Sequence, residues 1–367
     1  MTGFTRTLVL GLVGALALLT AGAASAAYTT PKLIVQQTGA ATKINYTQSA
    51  SDDPTAKLTF YAPTSYGSTL TQPAGTTIGT VTAQGTAADL GGALLPLTGT
   101  VQVRAANGTY LSGSTQVPIS AAATQCTGTA THTAYWVLIL QAAGQTLELP
   151  VFVDSPAAPP QPGASASAFA SSSIQACLPP PDVPAGTPGR ATFGFKLTAV
   201  DFSVTNVFSY SGSGEARWRV LATPYTPGTG RPNPAGSVES QSVVAFPRTV
   251  TLRKPAVRKP VKGVVTLAIS GVANLPAGAS ATLRLYRGAK SASSRSIALT
   301  KRGNAYTGTL RIRQTTKAQV VFLQTRAAVG SGAPTCTPTF GVPCQTSSQA
   351  GLALRSNTVR IVIPRKR

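Results

Sequence analysis

The residues that could do covalent chemistry in this chain are few. One histidine, His132 in "TATHTAYW", is the single imidazole in 367 residues, and it would have to serve as any histidine base. No HExxH, GxSxG or phosphate-loop pattern accompanies it, and its place in a strand-like run reads as a surface strand position. Asp52 and Asp53 are adjacent carboxylates before Pro54 in the turn-like "SASDDPT". They could touch a calcium ion, but a full site takes about six to eight oxygens and no loop here provides them. Nine scattered acids offer no paired-carboxylate glycosidase either. The expectation is a non-enzyme with no metal and no cofactor.

Binding chemistry is better represented. The stretch "RKPAVRKPVKG" carries Arg253, Lys254, Arg258, Lys259 and Lys262 with no acid among them. It belongs to a wider asymmetry, because all nine acids lie at or before Glu239 while 21 of the 31 Lys and Arg follow it. Residues 28–239 are balanced at nine bases and nine acids, and residues 240–367 are wholly basic. A break this sharp marks a separate domain. Such a surface attracts anionic cell-wall polymers or membrane headgroups. Sequence-specific nucleic-acid reading is not expected, since no reading helix or stacking motif is present. The alternative is an extracellular carbohydrate- or ligand-binding module, which needs exposed aromatics. Trp136 and Trp218 read as core, leaving Tyr61, Tyr66 and Tyr225 beside turns as candidates. A secreted hydrolase ranks below both.

The elements that hold these residues read as short strands. "PKLIVQQ", "AKLTFYAP", "TTIGTVTAQ" and "TGTVQVRA" alternate or are β-branched, and Gly, Pro, Asn or Ser bounds them. "AYWVLILQAAGQTLELPVFVD" predicts two strands around a tight turn at Ala142–Gln145, with Pro150 placing the second at a sheet edge or a bulge. "PAG" recurs at Pro73, Pro184, Pro234 and Pro276 as turn chemistry. "LPLTG" at Leu95–Gly99 matches a sortase pattern but lacks the membrane helix and basic tail that should follow, and reads as a turn between strands. The fold class is all-β, two or three β-sandwich-like domains after a cleaved signal peptide.

That signal peptide is residues 1–27. Arg6, the apolar run "LVLGLVGALALLTAG" and the small residues Ala24–Ala27 form its three regions. No second apolar run is long enough to span, so a secreted chain without a transmembrane segment is expected, retained at the cell envelope. Residues 28–243 form a neutral β-rich region, one large or two small sandwiches with a possible division near 122 and a Pro/Ser-rich loop at 155–173 that bulges outward. Residues 244–262 are a basic linker or first edge strand, and 263–367 a basic sandwich. Four cysteines in an exported chain read as disulfides. Of three possible pairings, proximity favours Cys126–Cys177 and Cys336–Cys344, contributing about 4 and about 2.5 kcal/mol in the chain-entropy model.

In the basic region "KGVVTLAISGV", "LPAGASATLRLYRG", "GNAYTGTLRIR" and "SNTVRIVIP" follow as successive strands. Over roughly 262–364 this rhythm resembles a bacterial immunoglobulin-like β-sandwich domain, found in secreted and surface proteins of high-GC bacteria. The resemblance implies a two-sheet spacer, adhesion or ligand-binding module with no catalytic residues. "SGAPTCTPTFGVPCQTSSQAG" (331–351) departs from it as an insertion before the last strand. Alternation sets Leu310 and Ile312 against Arg311 and Arg313, Leu283 and Leu285 against Arg284, and Val359, Ile361 and Ile363 against Arg360. A cationic stripe on one or both sheets is expected, extended by Arg365, Lys366 and Arg367.

Overall fold

A computed structural model describes residues 28–366 apart from 30, 143, 162, 211–215, 245–249, 274–279, 287–294, 303–304, 330–335, 346–347 and 350–351. Residues 1–27, read above as a signal peptide, and Arg367 lie outside it. Alternating apolar residues build eleven strands of one curled sheet. They are β1 (Lys32–Thr38), β2 (Ala41–Thr47), β3 (Thr55–Pro63), β4 (Thr77–Ala87), β5 (Ala93–Arg104) and β6 (Ala134–Ala142), followed by β7 (Gln145–Asp154), β8 (Ala170–Cys177), β9 (Phe195–Thr205), β10 (Arg217–Thr226) and β11 (Val238–Val243). Their spatial order is β1-β2-β9-β4-β5-β6-β7-β8-β3-β10-β11, antiparallel throughout. Strands from before and after residue 122 interleave in this one sheet, which therefore has one interior.

The sheet curls until β1 lies against β11. There Val35 N donates to Ser242 Oγ at 2.9 Å and Ser240 Oγ donates to the Pro31 carbonyl at 3.1 Å. Leu33, Val35, Ile44, Phe60, Val101, Trp136, Val153 and Trp218 point into a shared core. Two glycines let the strands approach closely: a Cβ on Gly79 or Gly99 would run into the Ser203 or Ile139 carbonyl oxygen across the ladder. The run "AYWVLIL" is apolar without a break because both its faces are covered. Trp136 and Leu138 face inward, while Tyr135 and Val137 pack outward under helix α1 (Ile119–Thr127) through Ile119, Ala122 and Ala123.

Three expectations are corrected here. Pro150 stands in the central strand β7, paired with Val137 of β6. The ladder from β7 to β8 starts only at Val151, so the missing N–H falls where that ladder stops. Leu95–Gly99 is no turn but part of β5, with Leu97 buried in the interior. The Pro/Ser-rich loop does not bulge outward, because Ala166, Ala170 and Phe169 pack on Tyr61 across the outer face. The "PAG" turns behave as expected at three places, with Thr76 N, Thr187 N and Ser237 N donating to Pro73, Pro184 and Pro234 carbonyls. The fourth, at Pro276, lies outside the described residues.

Residues beyond 250 form two further sheets. One has the order β12 (Val250–Leu252), β13 (Val264–Ala273), β17 (Ala305–Arg313), β16 (Thr300–Arg302). The other has β15 (Arg295–Ala298), β14 (Ser280–Tyr286), β18 (Gln319–Val329) and β19 (Leu352–Arg355), with β20 (Val359–Ile363) also on β18. Leu267, Ile269 and Leu310 of the first meet Leu283, Val321, Leu323 and Ile361 of the second in a core of their own. Tyr306 spans the two sheets, its hydroxyl within 2.7 Å of the Thr251 carbonyl and 2.8 Å of Thr325 Oγ1.

Both disulfides join nearest neighbours in sequence, Cys126 to Cys177 and Cys336 to Cys344. The first fastens the end of α1 to the end of β8. The second closes a loop that leaves the sandwich and docks on the barrel. Its Ser348–Gln349 pair runs parallel to Ser242–Val243 of β11, and Phe340 stacks against Tyr61 and Phe169. Among the described residues no helix is long and apolar enough to cross a membrane.

Candidate functional site

The RKP stretch runs along the edge of the sandwich in isolated contacts rather than as a regular strand. Arg253 N donates to the Ser270 carbonyl, and isolated bridges pair Val257 with Leu267 and Val261 with Val264. Pro255 and Pro260 cannot donate, which is why the ladder is broken into single contacts. Lys262 and Gly263, at φ of 50° and 71°, then make the two-residue turn into β13. Positive φ at both central residues matches the right-handed twist of a hairpin.

Arg253, Lys254, Arg258, Lys259 and Lys262 are all exposed along this edge. The other predicted cations divide between sheets. Arg311 and Arg313 lie on the outer face of β17, whereas Arg284 and Arg360 lie on the outer face of the opposite sheet, Arg284 half-buried. One end of the sandwich gathers five cations. Gln314 N donates to the Gly263 carbonyl at 2.8 Å, Lys366 N to the Thr315 carbonyl at 2.9 Å, and Gln314 Nε2 to the Pro364 and Arg365 carbonyls. These bonds tie together three loops that carry Lys262, Arg313, Lys317, Arg365 and Lys366, all exposed. In the barrel, acids pair with part of the bases, as in Lys43–Asp201, Arg104–Glu148, Arg190–Asp89 and Arg219–Glu239. Residues 240–367 contain no acid to do the same.

His132 is buried rather than on the surface. Its Nδ1 lies 3.0 Å from the Asp154 carboxylate and its Nε2 2.9 Å from Thr127 Oγ1, with the ring stacked on Phe152. Asp154 also accepts from Gln175 Nε2 at 3.1 Å. These residues and Lys57 border a hollow of about 840 Å³ on the outer face. An aspartate, imidazole and hydroxyl in series have the outline of a nucleophile relay. The surroundings oppose that use. Thr127 Oγ1 already bonds the Ala123 carbonyl at 2.9 Å, and the helix turns its negative C-terminal end toward the site. Carbonyls there repel the oxyanion that acyl transfer must stabilise. What the series does is fasten α1 to β6 and β7.

Asp52 is likewise occupied, accepting from Thr29 N, Thr29 Oγ1 and Ser49 N at 2.8, 2.5 and 3.0 Å. Tyr61, Tyr66 and Tyr225 are buried, so none offers the exposed ring a sugar platform needs. No group of three or more His, Cys, Asp or Glu among the described residues is placed to hold a metal.

A further feature was not legible in the sequence. A cavity of about 1120 Å³ opens at the barrel end where β3 and β9 begin and β8 and β10 finish. Its lining reaches from inward side chains such as Leu58, Phe60 and Trp136 out to the rim, where it continues over the outer face at Lys57 and Cys126. The opposite end is plugged by Trp218, which meets Tyr66 and Phe208 edge-on at 5.2 and 5.3 Å. Burial lowers the pKa of Lys57 and of Lys196 at the mouth, with nearby carboxylates opposing the shift.

Residues 178–191, "LPPPDVPAGTPGRA", arch over the rim. Arg190 donates to both Asp89 oxygens at 2.7 Å, and Gly228 N to Asp182 Oδ2 at 2.7 Å. The Arg190 hydrogen bonds hold the Asp89 carboxyl below its ordinary pKa. A carboxyl depressed in the folded state supports the structure above its ordinary pKa of about 3.9 and stops doing so as pH falls through the lowered value. Amide-exchange protection of residues 183–191 should therefore be full at neutral pH and lost in acid. Arg190→Ala should remove it at neutral pH while leaving the β6–β7 amides protected. Protection of 183–191 unchanged in that variant would show that the ion pair does not hold the arch.

No family model and no curated protein matches this chain.

Proposed function

We propose that this is an exported, non-enzymatic protein retained at the cell envelope, its basic domain gripping anionic surface polymers while the barrel is displayed. The single observation that carries this reading is the cationic end of the sandwich, where Lys262, Arg313, Lys317, Arg365 and Lys366 are held together by loop-to-loop hydrogen bonds. The exposed edge from Arg253 to Lys259 runs into it. Convergent cations on low-dielectric walls raise the local concentration of polyanions. Two disulfides fit an oxidising, extracellular compartment. We infer further that the basic domain is immunoglobulin-like. The order first-second-sixth-fifth on one sheet, facing fourth-third-seventh and the terminal strands on the other, supports this.

Co-sedimentation with isolated envelopes across a salt series tests the reading. The chain from residue 28 should pellet at low salt and release as the Debye length shrinks to about 10 Å at 0.1 M. Replacing the five end cations by Gln should reduce pelleting at least tenfold. Envelopes stripped of wall polymers, and vesicles of anionic lipid, separate the two polyanion sources. Equal binding by the five-Gln variant, or binding indifferent to salt, would overturn the proposal.

A further inference from the structure

We propose that the barrel cavity is a binding site for a lipid-like molecule, an apolar chain whose anionic end stays at the mouth. Inward side chains of Leu58, Phe60, Leu97, Leu138, Ile174 and Phe202 wall the inner part of a cavity of about 1120 Å³ that extends past the rim, a space large enough for a small-molecule ligand, for which roughly 300–1,000 Å³ is usual. Water finds few hydrogen-bond partners along those walls. Apolar side chains that face this space rather than one another forgo packing contacts. An apolar occupant relieves both problems, and a sugar would leave its hydroxyls unpaired.

Polar groups on the lining orient such an occupant. Trp136 borders the cavity, is 1% exposed, and its indole N–H has no acceptor among the described residues. A buried donor without a partner is costly, and an oxygen or double bond carried in by the ligand would satisfy it. At the rim Lys196, and Lys57 where the lining passes to the outer face, border the same space, cations that suit a carboxylate or phosphate. Trp218, Tyr66 and Phe208 fill the far end, so among the described residues the mouth beneath the proline-rich arch is the entry.

The chain's two tryptophans make the test direct, because only Trp136 borders the cavity. The chain from residue 28 is titrated with dibromostearic acid, whose bromines quench indole emission at contact. Saturable quenching, relieved by oleic acid, is expected. Trp136→Phe should lose more than half of the quenching while still taking up the acid. Ala83→Phe, which projects a ring into the void, should weaken binding at least tenfold with an unchanged or higher melting temperature. No saturable quenching, or equal affinity in a folded Ala83→Phe, would overturn the proposal. If Ala83→Phe does not fold, the Trp136→Phe titration decides: full quenching retained through Trp218 would place the acid outside the cavity.

Discussion

Glu239→Ala should lower the unfolding free energy of the protein by about 3–5 kcal/mol, the usual cost of removing one partner from a buried charged network. Glu239 is fully buried and accepts from Gln241 Nε2 at 2.6 Å and Thr339 N at 2.7 Å, with Arg219 Nε 3.5 Å away. Truncation leaves the Arg219 cation without its carboxylate and the Thr339 amide without its acceptor. The loss is concentrated in the disulfide loop. Gln241 Nε2 bonds the Thr337 carbonyl at 2.5 Å, Glu239 N the Pro343 carbonyl at 2.9 Å, and Gln345 N the Glu239 carbonyl at 2.8 Å. These three bonds survive the substitution, so the loop loses only its side-chain anchor at Thr339, and the segment around Phe340 should open from Tyr61 and Phe169 more often. Urea unfolding followed by circular dichroism measures the first effect, and limited proteolysis within 331–351 the second. A midpoint unchanged in urea would mean that the loop rests on the barrel without stabilising it.

Trp218→Ala is the second large effect, again about 3–5 kcal/mol. Trp218 is completely buried and contacts Tyr66 and Phe208 edge-on. Edge-to-face pairs add about 0.5–1.5 kcal/mol each beyond area burial. Deleting the indole opens the plugged end of the barrel, and the small sheet of Tyr66–Ser68 with Phe208–Tyr210 loses its footing. Trp218→Phe keeps one ring and should cost less than half as much. Thermal unfolding of the two variants side by side checks the ranking. A loss under about 1 kcal/mol in Trp218→Ala would show that the end can collapse onto the gap.

Local patterns were readable wherever one residue's environment follows from its near neighbours. In "TLRIRQ" the period of two put Leu310 and Ile312 inside and Arg311 and Arg313 outside, as observed. Where coverage comes from distant segments the pattern misled. β11, "VESQSV", is mostly polar in composition, yet its first five residues are buried because β1 covers one face and the disulfide loop the other. His132 looked like a surface position because its partners are Asp154, 22 residues on, and a helix that the alternation around it does not announce. Tyr61, set beside a turn in the sequence, is sealed by Phe169 and Phe340, the latter 279 residues away.

By itself the sequence determined the all-β class, the division of charge after Glu239, the pairing of neighbouring cysteines and the turns at "PAG". The class, the charge division and the turns depend on composition or on neighbouring residues, and the cysteine pairs follow the shortest separations, 51 and 8 residues. Only the tertiary structure decided that β9 enters between β2 and β4, that β1 returns to β11, and that a cavity remains between them. Strand order and closure depend on which distant edges meet, and every strand with one apolar face can pair with many others. The void depends on the curvature of the whole sheet, a property that no single strand carries.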